Sequence, residues 1–129
     1  MTHWAAEYIG AEWTRAETCW HFAARIWREQ YGVRVPLVPI DGANARATRR
    51  MLDGSPERAA WAAVAVPMEG DAVLMAKGAH PCHVGVWITP PEGPGVLHSV
   101  EGSGGIFTPL GALAAMGYRV AGYYRRVAG

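Results

Sequence analysis

The apolar residues of this chain change their period near Pro67, and that change constrains the fold more than any other feature. Before it, Cys19, Phe22, Ala23, Ile26, Trp27 and Gln30/Tyr31 recur at the spacing of one helical face. Thr18 stands where an N-cap belongs, because its hydroxyl can accept one of the orphan backbone N–H groups of a first turn. Gly32 suits the left-handed residue that closes a helix, and Pro36 and Pro39 forbid continuation. Further helices are expected over 43–52, stopped by Asp53-Gly54, and over 56–64, with Pro56 near the first turn. After Pro67 the residues read as strands. Glu69-Gly70-Asp71 is a turn. Strands are expected over 72–76, 82–88, 96–100 and 118–127, with a Pro/Gly loop at 89–95, a turn at 102–105 and a short helix over 110–116. Helices first and strands afterwards predict an α+β fold with an antiparallel sheet. The 129 residues carry no internal repeat and fit one domain, 1–129.

Composition removes several functional classes. Half the residues are hydrophobic and 18% are charged, which argues against a disordered chain. Twelve Lys+Arg against 11 Asp+Glu leave a net charge of +1, without the basic excess of a nucleic-acid binder. The local cluster Arg46, Arg49 and Arg50 reads as a solvated helix face. The longest apolar stretch, 59–67, falls far short of the ~20 residues that span a bilayer, so no membrane role is expected. The first ten residues hold Glu7 and lack a basic start followed by an apolar run, which predicts synthesis in the cytoplasm without a signal peptide. Cys19 and Cys82 are too few for a disulfide framework. A single bridge between them would consume a thiol that is otherwise well placed for chemistry.

That thiol is Cys19, in the first turn of the clearest helix. The partial positive charge of a helix N-terminus favours thiolate over thiol. A thiolate nucleophile needs a base that can also protonate the leaving group. Alternation along strand 82–88 puts His83, Gly85 and Trp87 on one face and Cys82, Val84, Val86 and Ile88 on the other. His98 shares a face with Val96 and Val100. If the two strands form a hairpin, His98 sits beside His83 and can hold its orientation, the third role of a triad. A zinc site competes, drawing on His80, Cys82 and His83 with Cys19, His21 or His98. Its spacing matches no familiar zinc pattern, and adjacent Cys82 and His83 point to opposite faces, so no metal and no cofactor are expected.

Cys19-Trp20-His21-Phe22 and the helix exit Trp27–Pro36, Gly70-Asp71-Ala72-Val73-Leu74, His83-Val84-Gly85-Val86-Trp87 and Val96-Leu97-His98-Ser99 follow in this order. Together they resemble the NlpC/P60 family of papain-like cysteine peptidases over most of the chain. The resemblance implies N-terminal helices with the nucleophile helix packed on an antiparallel sheet. It implies hydrolysis of amide bonds in peptidoglycan stem peptides next to D-Glu and diaminopimelate, with Cys19 attacking, His83 as base and acid, and His98 orienting His83. An aromatic residue upstream of the cysteine, Trp13 or Tyr8, would line the substrate site together with Trp20. Tyr8-Ile9-Gly10 at the front and Gly122-Tyr123-Tyr124-Arg125 at the end look most like compact versions from tailed phages and prophages, which implies phage tail proteins as partners and a tail-associated location. The chain departs from the family's Asp-Cys-x-Gly. Thr18 replaces the acid and His21 replaces the glycine, which bears on pocket shape and activity. A tail assembly or binding protein on the same fold, or a related thiol enzyme acting on acyl amides, are the alternatives.

Overall fold

A computed structural model describes residues 3–14, 18–35, 59–77 and 80–127. The expected helix 43–52, the Arg46–Arg49–Arg50 cluster and the side chains of His80 and Cys82 lie outside the described part. Within it the chain is α+β: one α-helix, short 3-10 turns and a six-stranded antiparallel sheet. The helix α1 covers Cys19–Tyr31, as its apolar spacing requires, and Gly32 closes it in the left-handed conformation at φ 67°. Thr18 occupies the N-cap position, yet its side chain makes no cap hydrogen bond and its buried hydroxyl has no partner among the described residues. The expected capping by the hydroxyl is therefore corrected: the residue keeps the extended backbone of an N-cap without the side-chain hydrogen bond.

The strands are β1 (Trp61–Val64), β2 (Ala72–Lys77), β3 (His80–Ile88), β4 (Gly95–Val100), β5 (Gly104–Pro109) and β6 (Arg119–Arg126). Their order across the sheet is β1-β6-β2-β3-β4-β5. The helix expected to end at Val64 is overturned there, because Trp61–Val64 pairs with Tyr123–Arg126 of β6. An Ala-rich run gives no strong periodic signal of its own, and the tertiary partner decides its conformation. The turn expected over 102–105 is confined to 101–103, since Gly104 and Gly105 already pair with Val100 and Ser99. The expected helix over 110–116 is two 3-10 turns on either side of Leu113.

Strand alternation divides the core into two layers. Val84, Val86, Ile88, Leu97 and Ala72 pack with the α1 residues Cys19, Phe22, Ala23, Ile26 and Trp27. On the opposite face Val73, Met75, Trp87 and Val96 pack beneath Leu113 and Tyr118, so the segment after β5 covers the side that α1 does not. Tyr8 belongs to the α1 layer: its hydroxyl donates to Glu29 Oε1 at 2.7 Å and accepts from Gln30 Nε2 at 3.1 Å, fixing the first turn to the helix. Gly105 permits a close approach of β5 to Tyr8 and α1. A Cβ there would lie 2.1 Å from the Tyr8 carbonyl oxygen and 2.9 Å from the Phe22 ring.

Buried Asp71 joins three strands. Its carboxylate accepts from Arg125 Nε and Nη2 on β6, at 3.0 and 2.8 Å, and from the Met68 backbone N–H at 2.7 Å. Its carbonyl accepts from the Trp87 N–H of β3 at 2.8 Å. No α-helix among the described residues is long and apolar enough to cross a membrane.

Ile26 is fully buried at the centre of the α1 layer. Ile26→Ala is expected to lower unfolding free energy by about 2–5 kcal/mol through lost transfer energy and a residual cavity. The same change at half-exposed Ile9 is expected to cost under about 0.5 kcal/mol. Urea titrations of the two variants check the difference.

Candidate active site

The sequence singles out Cys19, His83 and His98 for chemistry. Two of the three meet directly. β3 and β4 form the expected hairpin, with Val86 opposite Leu97 and Ile88 opposite Gly95. Their alternation sends His83 and His98 to the same face, where His83 Nε2 lies 2.7 Å from His98 Nδ1. Gly85 makes the meeting possible. A Cβ at that position would come 2.4 Å from Val96 Cγ1 and 2.9 Å from His98 Cβ, so any side chain would displace the second imidazole.

Four residues outside the set that the sequence singles out complete the surroundings. Thr108 of β5 holds the far side of His98, with Oγ1 2.9 Å from Nε2, and the hydroxyl donates onward to Met116 Sδ at 3.3 Å. The Tyr118 ring stacks on His83 at 4.9 Å between centroids and 16° between planes. The Lys77 ammonium lies 4.5 Å from the centre of that tyrosine ring. Thr108 was open to discovery: continuing the period of two through Ile106-Phe107-Thr108 places it on the face of Ile106, the register partner of His98. The glycines at 102–105 read as a turn and mask the start of that strand. Met116 and Tyr118 carry no comparable local signal, because a 3-10 segment folded over the sheet brings them in.

Burial sets the electrostatics. It pushes the His83 pKa well below the ordinary imidazole range, with further lowering from His98 and from the Lys77 charge. It brings that of His98 down to about 4. Desolvation penalises the charged form of a buried base. Both rings are therefore neutral near neutral pH, and a neutral imidazole carries one N–H and one lone pair.

Cys19 is a thiol rather than half of a disulfide, and it is buried. It lies toward the end of the sheet where β3 begins. The Phe22 ring abuts Gly105, the partner of Ser99 at the end of β4. At the other end of the helix, Trp27 Nε1 donates to the Gly70 carbonyl, and Gly70 N–H donates to that of Trp87, both at 2.8 Å. The helix therefore starts over the end of the sheet where His83 lies. The faces differ, however. Cys19 belongs to the layer with Val84, Val86 and Leu97, whereas His83 and His98 alternate with those residues and point away from α1. The hydrogen bond of His83 goes to His98, not to the thiol. The β3–β4 ladder ends at Val86 and Leu97, so His83 on one strand and Ser99 on the other stand beyond the last pair. The buried Ser99 hydroxyl has no hydrogen-bond partner among the described residues.

The three aromatic candidates for a substrate surface separate. Tyr8 and Trp20 are core residues, Tyr8 tied to Glu29 and Trp20 edge-on to Trp27 at 5.8 Å. They do not form a surface, because α1 draws both rings against its own layer. Trp13 alone is partly exposed. A groove of roughly 670 Å³ runs along the outer flank of α1, lined in part by Glu12, His21, Arg25, Arg28 and Arg34. Cys19, His83 and His98 do not line it. Among the described residues, no three His, Cys, Asp or Glu side chains cluster in a way that could hold a metal ion. No protein-family model matches the chain, and no curated protein matches it significantly.

The buried imidazoles make stability depend on acid. The unfolded state takes up protons near the ordinary histidine pKa of about 6.5, while His98 resists until about 4. Excess protons on the unfolded state favour unfolding as pH falls. The contribution is fully present above pH 6.5 and drains away between 6.5 and about 4. Denaturation midpoints should fall across that window in wild type and fall less steeply in His98→Gln.

Proposed function

We propose that this protein is a cysteine hydrolase that cleaves amide bonds in bacterial cell-wall peptides of the D-Glu–diaminopimelate type, working in association with a phage or prophage tail. The observation that carries the reading is the 2.7 Å contact between His83 and His98, two side chains singled out from the sequence as base and orienting group. Depressed pKa values support it, because a base must be unprotonated at working pH to take a proton. The buried thiol in the first turn of α1, at the His83 end of the sheet, supports it further. In the proposed reaction the Cys19 sulfur attacks the amide carbonyl while His83 accepts the thiol proton. The C–N bond then breaks, the same proton passes to the departing amine, and water hydrolyses the resulting thioester. The papain-like NlpC/P60 architecture and the tail setting rest on the sequence motifs, and the α+β arrangement with a helix on an antiparallel sheet is compatible with them.

A second reading has its own observation. Cys19 packs on the helix side of the sheet and both imidazoles on the other, which suits a tail assembly or binding protein that keeps the fold without turnover.

Alkylation of Cys19 as a function of pH separates the two. A hydrolase is expected to label fast at or below neutral pH and more slowly in His83→Ala, and Cys19→Ala should abolish cleavage of D-Glu–diaminopimelate peptides. Labelling only above about pH 8, as for an ordinary thiol, with no response to His83→Ala, would favour the assembly protein.

A further inference from the structure

We infer that Thr108, through Met116, fixes the tautomers of both buried imidazoles and thereby leaves the lone pair of His83 on Nδ1. A threonine hydroxyl has one proton to give, and a thioether sulfur has none. The 3.3 Å contact between Thr108 Oγ1 and Met116 Sδ is therefore a hydrogen bond only if the hydroxyl donates to the sulfur. Its proton so used, Thr108 Oγ1 can only accept at its 2.9 Å contact with His98 Nε2. That nitrogen must carry the ring proton. His98 is neutral, with its pKa near 4, so its Nδ1 is bare. The 2.7 Å contact then requires His83 to donate from Nε2. His83, also neutral, keeps its lone pair on Nδ1. The opposite assignment would turn Thr108 toward His98 Nε2, set two lone pairs against each other at Met116, and place the His83 proton on Nδ1.

The four groups form one directed chain, Nε2–H of His83 to His98, Nε2–H of His98 to Thr108, and O–H of Thr108 to Met116. Its surroundings are dry. His83, His98 and Thr108 are 7%, 0% and 4% exposed and Met116 is half-buried, so water has little access to the imidazole end of the chain. In such a site an unmet donor or acceptor costs the full desolvation penalty, which selects one proton arrangement over the other. Thr108 and Met116 are thus positioning residues, acting on His83 through His98. This deepens the hydrolase reading and rests on it only for its use: the tautomers themselves are a property of the folded protein whether or not it turns over.

The test is nitrogen NMR of the protein with 15N-labelled histidines, where a protonated and a bare ring nitrogen are separated by tens of ppm. Wild type is expected to show protonated Nε2 and bare Nδ1 at both His83 and His98. Thr108→Ser, which keeps the hydroxyl, should preserve that pattern. Met116→Leu, close in volume and lacking the sulfur, should release the hydroxyl and move both rings toward protonated Nδ1, and Thr108→Val should disturb the pattern likewise. Wild-type rings protonated on Nδ1, or Met116→Leu and Thr108→Val spectra both unchanged, would overturn the inference. Insensitivity of Cys19 alkylation to His83→Ala would instead overturn the hydrolase reading and leave these spectra as expected.

Discussion

A strand sends successive side chains to opposite faces of its sheet, and in β3 and β4 that rule separates two chemistries. One face is dry and aliphatic and receives α1 through Phe22, Ala23, Ile26 and Trp27. The other collects the two imidazoles with Thr108, Met116 and Tyr118 around them. A slip of one residue in the β3–β4 register would bury the histidines against α1 and turn the valines away from it. The apolar face prevents that slip, so the packing of α1 is also what aims the imidazoles. Their closeness follows from a single glycine, since Gly85 leaves the space that His98 fills.

The turn before β2 gives this arrangement its frame. Asp71 is nearly inaccessible and is satisfied by Arg125 and by the Met68 N–H. Arg125 remains partly exposed, so the pair serves geometry more than net stability. Nearby, Glu69 accepts from the Thr89 N–H and hydroxyl, both at 2.7 Å, and from the Tyr31 hydroxyl at 3.0 Å. The end of α1, the start of β2 and the exit of β3 are thus tied at one corner. At the opposite corner, where Cys19 and His83 lie, the buried Thr18 and Ser99 hydroxyls have no hydrogen-bond partner among the described residues.

How much of this was legible in the sequence follows from how local each signal is. The bounds of α1 were readable because its stripe and its closing Gly32 lie within one short segment. The strands β2, β3 and β4, and the pairing of His83 with His98, were readable from alternation plus one hairpin. β1 was not, because Trp61–Val64 becomes a strand only through a partner far along the chain. Thr108 escaped because two glycines disguise the start of its strand. The side of the sheet that α1 covers was also hidden. Alternation says which residues share a face, not which face a distant helix will take, so the sequence could align Cys19 with the imidazoles by order alone and not by side.

The place of β6 has a consequence for how the chain matures. This strand lies between β1 and β2, and β6 is the sheet partner of β1. During synthesis the helix, β2, β3, β4 and β5 all leave the ribosome before Arg119–Arg126 does. The imidazole-bearing hairpin and its helix can therefore assemble while the nascent chain is still tethered. Trp61–Val64 must wait as an unpaired segment until the last strand arrives, and Arg125 reaches Asp71 only at that step.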